Sequence, residues 1–103
     1  MNVDELLAHE QVLAESLGNP VFRAEWERTA LARAVAMRVL RYRIEHLLSQ
    51  TVLARQLGMQ QSAIARLEAG DHTPSLDMLS RLSRGLGIRF RIDITPDAVQ
   101  LIA

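Results

Sequence analysis

At 103 residues, 49% of them hydrophobic, the chain is long enough for one compact domain and apolar enough to bury a core, which excludes global disorder. Its net charge of zero hides a division: residues 1–28 carry six acids (Asp4, Glu5, Glu10, Glu15, Glu25, Glu27) against Arg23 and Arg28, whereas residues 29–91 carry ten arginines against Glu45, Glu68, Asp71 and Asp77, a pattern suited to an acidic arm and a polyanion-binding surface. The absence of cysteine excludes disulfides and thiolate metal sites, no apolar run approaches the roughly 18 residues of a membrane span, and the acidic opening MNVDELLAHE is unlike a secretory leader, so a cytoplasmic location is expected.

In chain order, the first periodic segment is Val3–Leu17, with Leu6, Leu7, Leu13 and Leu17 near one stripe and Gly18 placed to end it. Asn19-Pro20 restarts a helix, asparagine as N-cap and proline at the first helical position. From there to about Leu48 no glycine or proline interrupts the chain, which is one long helix or two joined by a bend near Thr29. Ser49 then caps Gln50–Leu57, Gly58 ends it, and a turn leads to Gln61–Ala69, ended by Gly70. Beyond the loop DHTPS, Leu76–Leu86 presents Leu76, Leu79, Leu82 and Leu86 on one stripe, with Gly87 behind it.

At Ile88 the period changes. Ile88, Phe90, Ile92 and Ile94 alternate with Arg89, Arg91 and Asp93, a strand with one apolar face stopped by Thr95-Pro96. No other stretch reads as a strand, and a lone strand leaves its backbone groups unpaired. The simplest partner is a second copy across a two-fold axis, which makes Ile88, Phe90, Ile92 and Ile94 dimerisation candidates. A tail packed on the chain's own helices is the alternative.

The chemistry concentrates at Gln50–Gly70. Ala54, one turn after Gln50, lets the following helix approach closely, and Gly58 supplies the positive φ of a sharp turn. Ile64 and Leu67 then face Leu53 and Leu57, which sets the second helix steeply against the first. The amino-terminal end of that second helix is left protruding, with Gln60, Gln61 and Ser62 outward and Arg66 one turn on. A glutamine amide donates and accepts at once and matches the major-groove edge of adenine. Ordinary surface helix formers are the plain alternative for Gln60 and Gln61.

Residues 43–87 resemble the phage-repressor-type (Xre) helix-turn-helix family through S-Q-x-x-L-A-x-x-L-G, Q-S-x-I-x-R-L-E-x-G and P-S-L-x-x-L-x-x-L at matching intervals. The resemblance implies that Gln50 touches a phosphate and braces Gln61. It further implies that Gln60, Gln61 and Ser62 face base edges and that Arg66 meets a base or phosphate; Arg55, His72 and Thr73 are weaker phosphate candidates. Glu68 is expected to pair internally with Arg41 or Arg43. The acidic arm containing FRAEWERTALARA and the strand GIRFRIDITP resemble HigA-like antitoxins, whose partners are small basic ribonucleases of the RelE/HigB type; HipB-like antitoxins, which partner a kinase, are similar in their terminal strands. Phe22, Glu25 and Trp26 are the partner-binding candidates on the arm, aromatics anchoring and carboxylates steering, although Phe22 and Trp26 at i, i+4 also suit a core.

The resulting expectation is an all-α protein: a repressor-like, five-helix helix-turn-helix domain with a helical arm and a dimer-forming strand. Residues 1–42 form the arm, 43–87 the DNA-binding domain, and 88–103 the dimerisation strand and tail. The expected function is an operon-autoregulating repressor that binds double-stranded operator DNA as a homodimer and neutralises a small basic toxin. A stand-alone regulator is the alternative. His9, His46 and His72 lack chelating spacing, Ser62 has no nucleophile elbow, and no glycine-rich phosphate loop occurs, so neither metal, cofactor nor enzymatic activity is expected.

Overall fold

The computed structural model describes residues 2–102. Six helices are followed by a hairpin: α1 (Val3–Ser16), α2 (Pro20–Arg28), α3 (Ala30–Glu45), α4 (Gln50–Leu57), α5 (Gln61–Ala69), α6 (Leu76–Leu86), β1 (Arg91–Ile94) and β2 (Val99–Ile102). No described helix is long and apolar enough to cross a membrane.

Short polar caps start most of these helices. Asn2 accepts from the Glu5 amide at 2.8 Å while the Glu5 carboxylate accepts from the Asn2 amide, a reciprocal box. Asn19 accepts from the amides of Val21 and Phe22, and Ser49 and Ser75 from those of Val52 and Met78. Gly18 does not take the left-handed conformation expected of a helix-ending glycine. Right-handed turns from Glu15 and Ser16 carry the chain straight to Asn19.

The break at Thr29 separates α2 from α3. The Thr29 hydroxyl donates to the carbonyls of Glu25 (3.0 Å) and Trp26 (3.3 Å), so it closes α2 and leaves α3 without a side-chain cap. Of the two readings open for residues 20–48, the structure takes the pair of helices joined at Thr29, giving six helices among the described residues. Above the joint, the Arg33 guanidinium lies 3.3 Å from the Trp26 ring centroid and donates to the Thr29 hydroxyl.

α3 supplies one wall of the core. Leu31, Val35 and Val39 face Leu53, Ala54 and Leu57 of α4, Ile64 and Leu67 of α5, and Leu79, Leu82 and Leu86 of α6. The buried core thus draws on α3 from Leu31 onward, ahead of Arg43, whereas α1 and α2 contribute no buried residue. Leu76, at the first turn of α6, is exposed in spite of its place on the leucine stripe. Two helix ends depend on backbone geometry. Gly70 (φ 70°) sits so close to α3 that an added Cβ would lie 3.3 Å from Ala36 Cβ and 3.4 Å from Arg33 Cα. At the end of α3, Leu47 adopts φ 54° and is 93% exposed, a left-handed role that glycine usually fills.

The C-terminal strand needs correction. β1 is not alone: β2 pairs with it antiparallel, placing Arg91 opposite Ile102, Ile92 opposite Leu101, Asp93 opposite Gln100 and Ile94 opposite Val99. The connection is tight, with the Thr95 amide donating to the Ala98 carbonyl at 2.9 Å and the Ala98 amide to the Thr95 hydroxyl at 3.2 Å. Of the four dimerisation candidates, Ile88, Phe90 and Ile92 pack against the chain's own core. Ile94 alone is 74% exposed.

Gly70→Ala is expected to lower unfolding free energy by about 2 kcal/mol, because left-handed strain adds to a tight contact with α3. Gly58→Ala (φ 66°), where an added Cβ meets nothing within 4 Å, is expected to cost only about 1 kcal/mol. Urea denaturation of both variants measures the difference.

Candidate nucleic-acid interface

The second helix of the turn motif is aimed by apolar contacts behind it. Ile64 and Leu67 are buried against Leu53 and Leu57, and the Met59 amide donates to the Ala54 carbonyl at 2.8 Å, closing the turn after Gly58. Residues on the opposite side of α5 have no core to meet. Gln60, Gln61, Ser62 and Arg66 are accordingly exposed, and Arg55 is exposed on α4. Gln60 is extended and caps α5 with no side-chain bond, so first-turn amides remain directed outward with the positive end of the helix dipole.

Behind this tip runs a hydrogen-bonded relay. Arg43, on α3, donates twice to Glu68, Nε to Oε2 and Nη2 to Oε1, both at 2.9 Å. Its Nη1 also reaches the Leu48 carbonyl at 3.2 Å. Gln50 Nε2 donates to Glu68 Oε1 at 3.4 Å, and Gln61 Nε2 donates to Gln50 Oε1 at 2.7 Å. The order of donors follows from chemistry: an ionised carboxylate only accepts, so Gln50 must turn its amide nitrogen to Glu68 and its oxygen to Gln61. Gln61 therefore gives one N–H to Gln50 and keeps its second N–H and its carbonyl oxygen free. Of the two pairings expected for Glu68, Arg43 is the one formed, and the fork geometry raises the Arg43 guanidinium above its ordinary pKa through its bonds to the carboxylate.

Beside α5 lies a groove of about 590 Å³ whose lining includes Arg66, His72, Thr73 and Ser75 over Ala63, Leu67 and Met78. It brings Arg66 of α5 together with His72 and Thr73 of the following loop, which the sequence separates by six residues or more. His72 Nδ1 lies 2.7 Å from Asp71 Oδ1, and this bond, then the charges of His72 and Arg66, hold the Asp71 carboxyl below its usual range. Ser75 and Met78 were not singled out from sequence, since one reads as a helix cap and the other as a packing residue.

The arm candidates are less concentrated. Trp26 is half-buried and already engaged on one face by Arg33, and it stacks on Phe22 at 6.2 Å between centroids. Phe22 is exposed. Glu25 is paired with Arg28 on its own helix, which lowers its carboxyl pKa through a hydrogen bond. Elsewhere on α1 and α2 the apolar side chains of Val3, Leu6, Leu7, Val12 and Val21 are exposed.

Among family models, the one described as Helix-turn-helix matches residues 39–92, more than half of the chain. No curated relative matches it. The matched segment begins inside α3 and runs into β1, so it contains the relay, the exposed tip and the groove.

The Glu68 side chain is only 8% exposed and Arg43 22%. Arg43→Met leaves that carboxylate without its fork and is expected to cost about 2–4 kcal/mol. Urea denaturation checks it, with Arg41→Met, at an exposed neighbouring position, as the control.

Proposed function

This chain belongs to the helix-turn-helix family of DNA-binding regulators, with an Xre-like motif, and on that footing we propose that it is a sequence-specific repressor that grips a palindromic operator as a homodimer. The observation that carries this reading is the relay from Arg43 through Glu68 and Gln50 to Gln61, which ends in an amide of fixed polarity on an exposed helix tip. The free N–H of Gln61 meets N7 of adenine while its carbonyl oxygen accepts from the adenine 6-amino group. Guanine offers two acceptors at those positions. With one N–H already given to Gln50, Gln61 cannot satisfy both, so adenine is favoured over guanine. Ser62 and Gln60 flank this contact, the Gln50 region meets the phosphate before it, and Arg55, Arg66, His72 and Thr73 lie along the backbone on either side. Two such tips in a dimer fall about 34–36 Å apart, one turn of duplex.

The second part of the proposal concerns the arm. An acidic α1–α2 segment with exposed apolar side chains and no buried residue of its own suits a cationic protein surface. Together with the operator-binding motif it favours an antitoxin that represses its own operon and neutralises a small basic ribonuclease. Residues 1–29 are then the partner-binding segment. Co-purification of the neighbouring gene's product with the full chain, lost on Phe22→Asp, is the expected result; a neighbour that never co-purifies points to a stand-alone regulator.

Gel-shift titration tests the DNA reading. Gln61→Ala is expected to weaken operator binding by about 1–3 kcal/mol and to erase preference at one base pair of each half-site. Arg55→Ala is expected instead to weaken all duplexes alike and to reduce the salt slope by about one. An unchanged affinity for Gln61→Ala removes that residue from the base-reading set.

A further inference from the structure

The hairpin that closes on the core leaves one edge of β1 open, and that edge is self-complementary. The narrow pair Thr95/Ala98 bonds toward β2, so by antiparallel alternation Asp93/Gln100 and Arg91/Ile102 also exchange their bonds within the hairpin. The amides and carbonyls of Ile92 and Ile94 consequently point away from β2, and no further strand pairs with β1 among the described residues. Such an edge invites another strand. Neither Arg91 nor Asp93 has an ion-pair partner among the described residues, and both are exposed.

We propose that β1 pairs antiparallel with β1 of a second copy of this chain, in the register that sets Ile92 opposite Ile92, building a four-stranded sheet β2-β1-β1-β2 across a two-fold axis. Three constraints select that register. Only residues whose backbone groups point outward can exchange bonds, which admits registers centred on Ile92 or on its immediate neighbours and excludes half-step shifts. Centring on Arg91 sets two arginines face to face, and centring on Asp93 sets two aspartates face to face; both juxtapose like charges in a close pair. Centring on Ile92 instead puts each Arg91 opposite Asp93 of the second copy, two ion pairs on the solvent face. It also sets Ile94, 74% exposed in the single chain, beside Phe90 of the second copy on the face that looks toward the helices. The two-fold axis is normal to the sheet, so α3 of each copy lies under the same face.

This inference gives the proposed homodimer its interface and is tested without DNA, so its failure leaves operator binding by the helix tip standing. Sedimentation equilibrium of the full chain from low to high micromolar concentration, with thermal melts to verify folding, compares wild type with Arg91→Asp, Asp93→Arg and the double exchange. Wild type is expected to dimerise. Each single reversal, which creates two like-charge contacts at once, is expected to raise the dimer dissociation constant about tenfold or more. The double exchange restores the opposite charges and dimerisation with them. Mixing the two single variants produces a heterodimer, because each then faces its complement. A wild type that stays monomeric throughout overturns the proposal. So do single reversals that dimerise as wild type does, or a double exchange that fails to recover.

Discussion

The forked bond between Arg43 and Glu68 ties the last turn of α3 to the last turn of α5, and the exposed chemistry of the molecule is referenced to it. Apolar packing of Val35, Val39, Ile64 and Leu82 fixes where the helices lie, yet it carries no polarity. The carboxylate does. It is nearly buried, so its remaining lone pair is costly to leave unmet, and Gln50 meets it. From that single bond the direction of each later donor follows, out to a side chain in solvent. A neutral glutamine in place of Glu68 would keep the shape of the chain but lose the rule that orders it, since an amide can be turned either way.

Much of this was legible in the residues. Ser49, Asn19 and Gly58 mark helix ends by unambiguous local chemistry, and the spacing of Leu53, Leu57, Ile64 and Leu67 locates the turn motif. The missed features share a cause: each depends on a partner distant in sequence or on a residue used against type. Val99-Gln100-Leu101-Ile102 is too short to announce a strand, and becomes one because Thr95 and Ala98 fold it back onto β1. The bend near Thr29, one of two readings open in the sequence, is decided by its hydroxyl turning back to α2. Leu47 ends α3 with a conformation that its side chain disfavours. The burial of Leu31, Val35 and Val39 on α3 was hidden for a related reason, since the charge pattern of that helix continues that of the arm. At the candidate interface, exposure of Gln60–Ser62 follows from periodicity, whereas the groove joining Arg66 to His72 and Thr73 depends on how the loop before α6 returns.

The two ends of the molecule handle charge in different ways. Beside α5, Asp71 bonds to His72 and feels the charge of Arg66, so its carboxyl is held below its usual range. Along α2, acids are matched within the helix by Arg23–Glu27 and Arg28–Glu25, pairs that are fully solvated and contribute little to stability. Their value to the fold is small. What holds α2 in place is the joint of Trp26, Arg33 and Thr29, in which a cation lies against an aromatic face and a hydroxyl closes the turn.

α1 has no buried residue, so its opening does not disturb the core of α3–α6. The free energy that protects its peptide bonds from cleavage is therefore local and small, and is decoupled from the global stability of the chain. Cleavage within α1 is then governed by local helix fraying, and anything that clamps α1 slows cleavage there without changing the core. Protection of α1 and stability of the helix-turn-helix core can thus be changed through separate sets of residues.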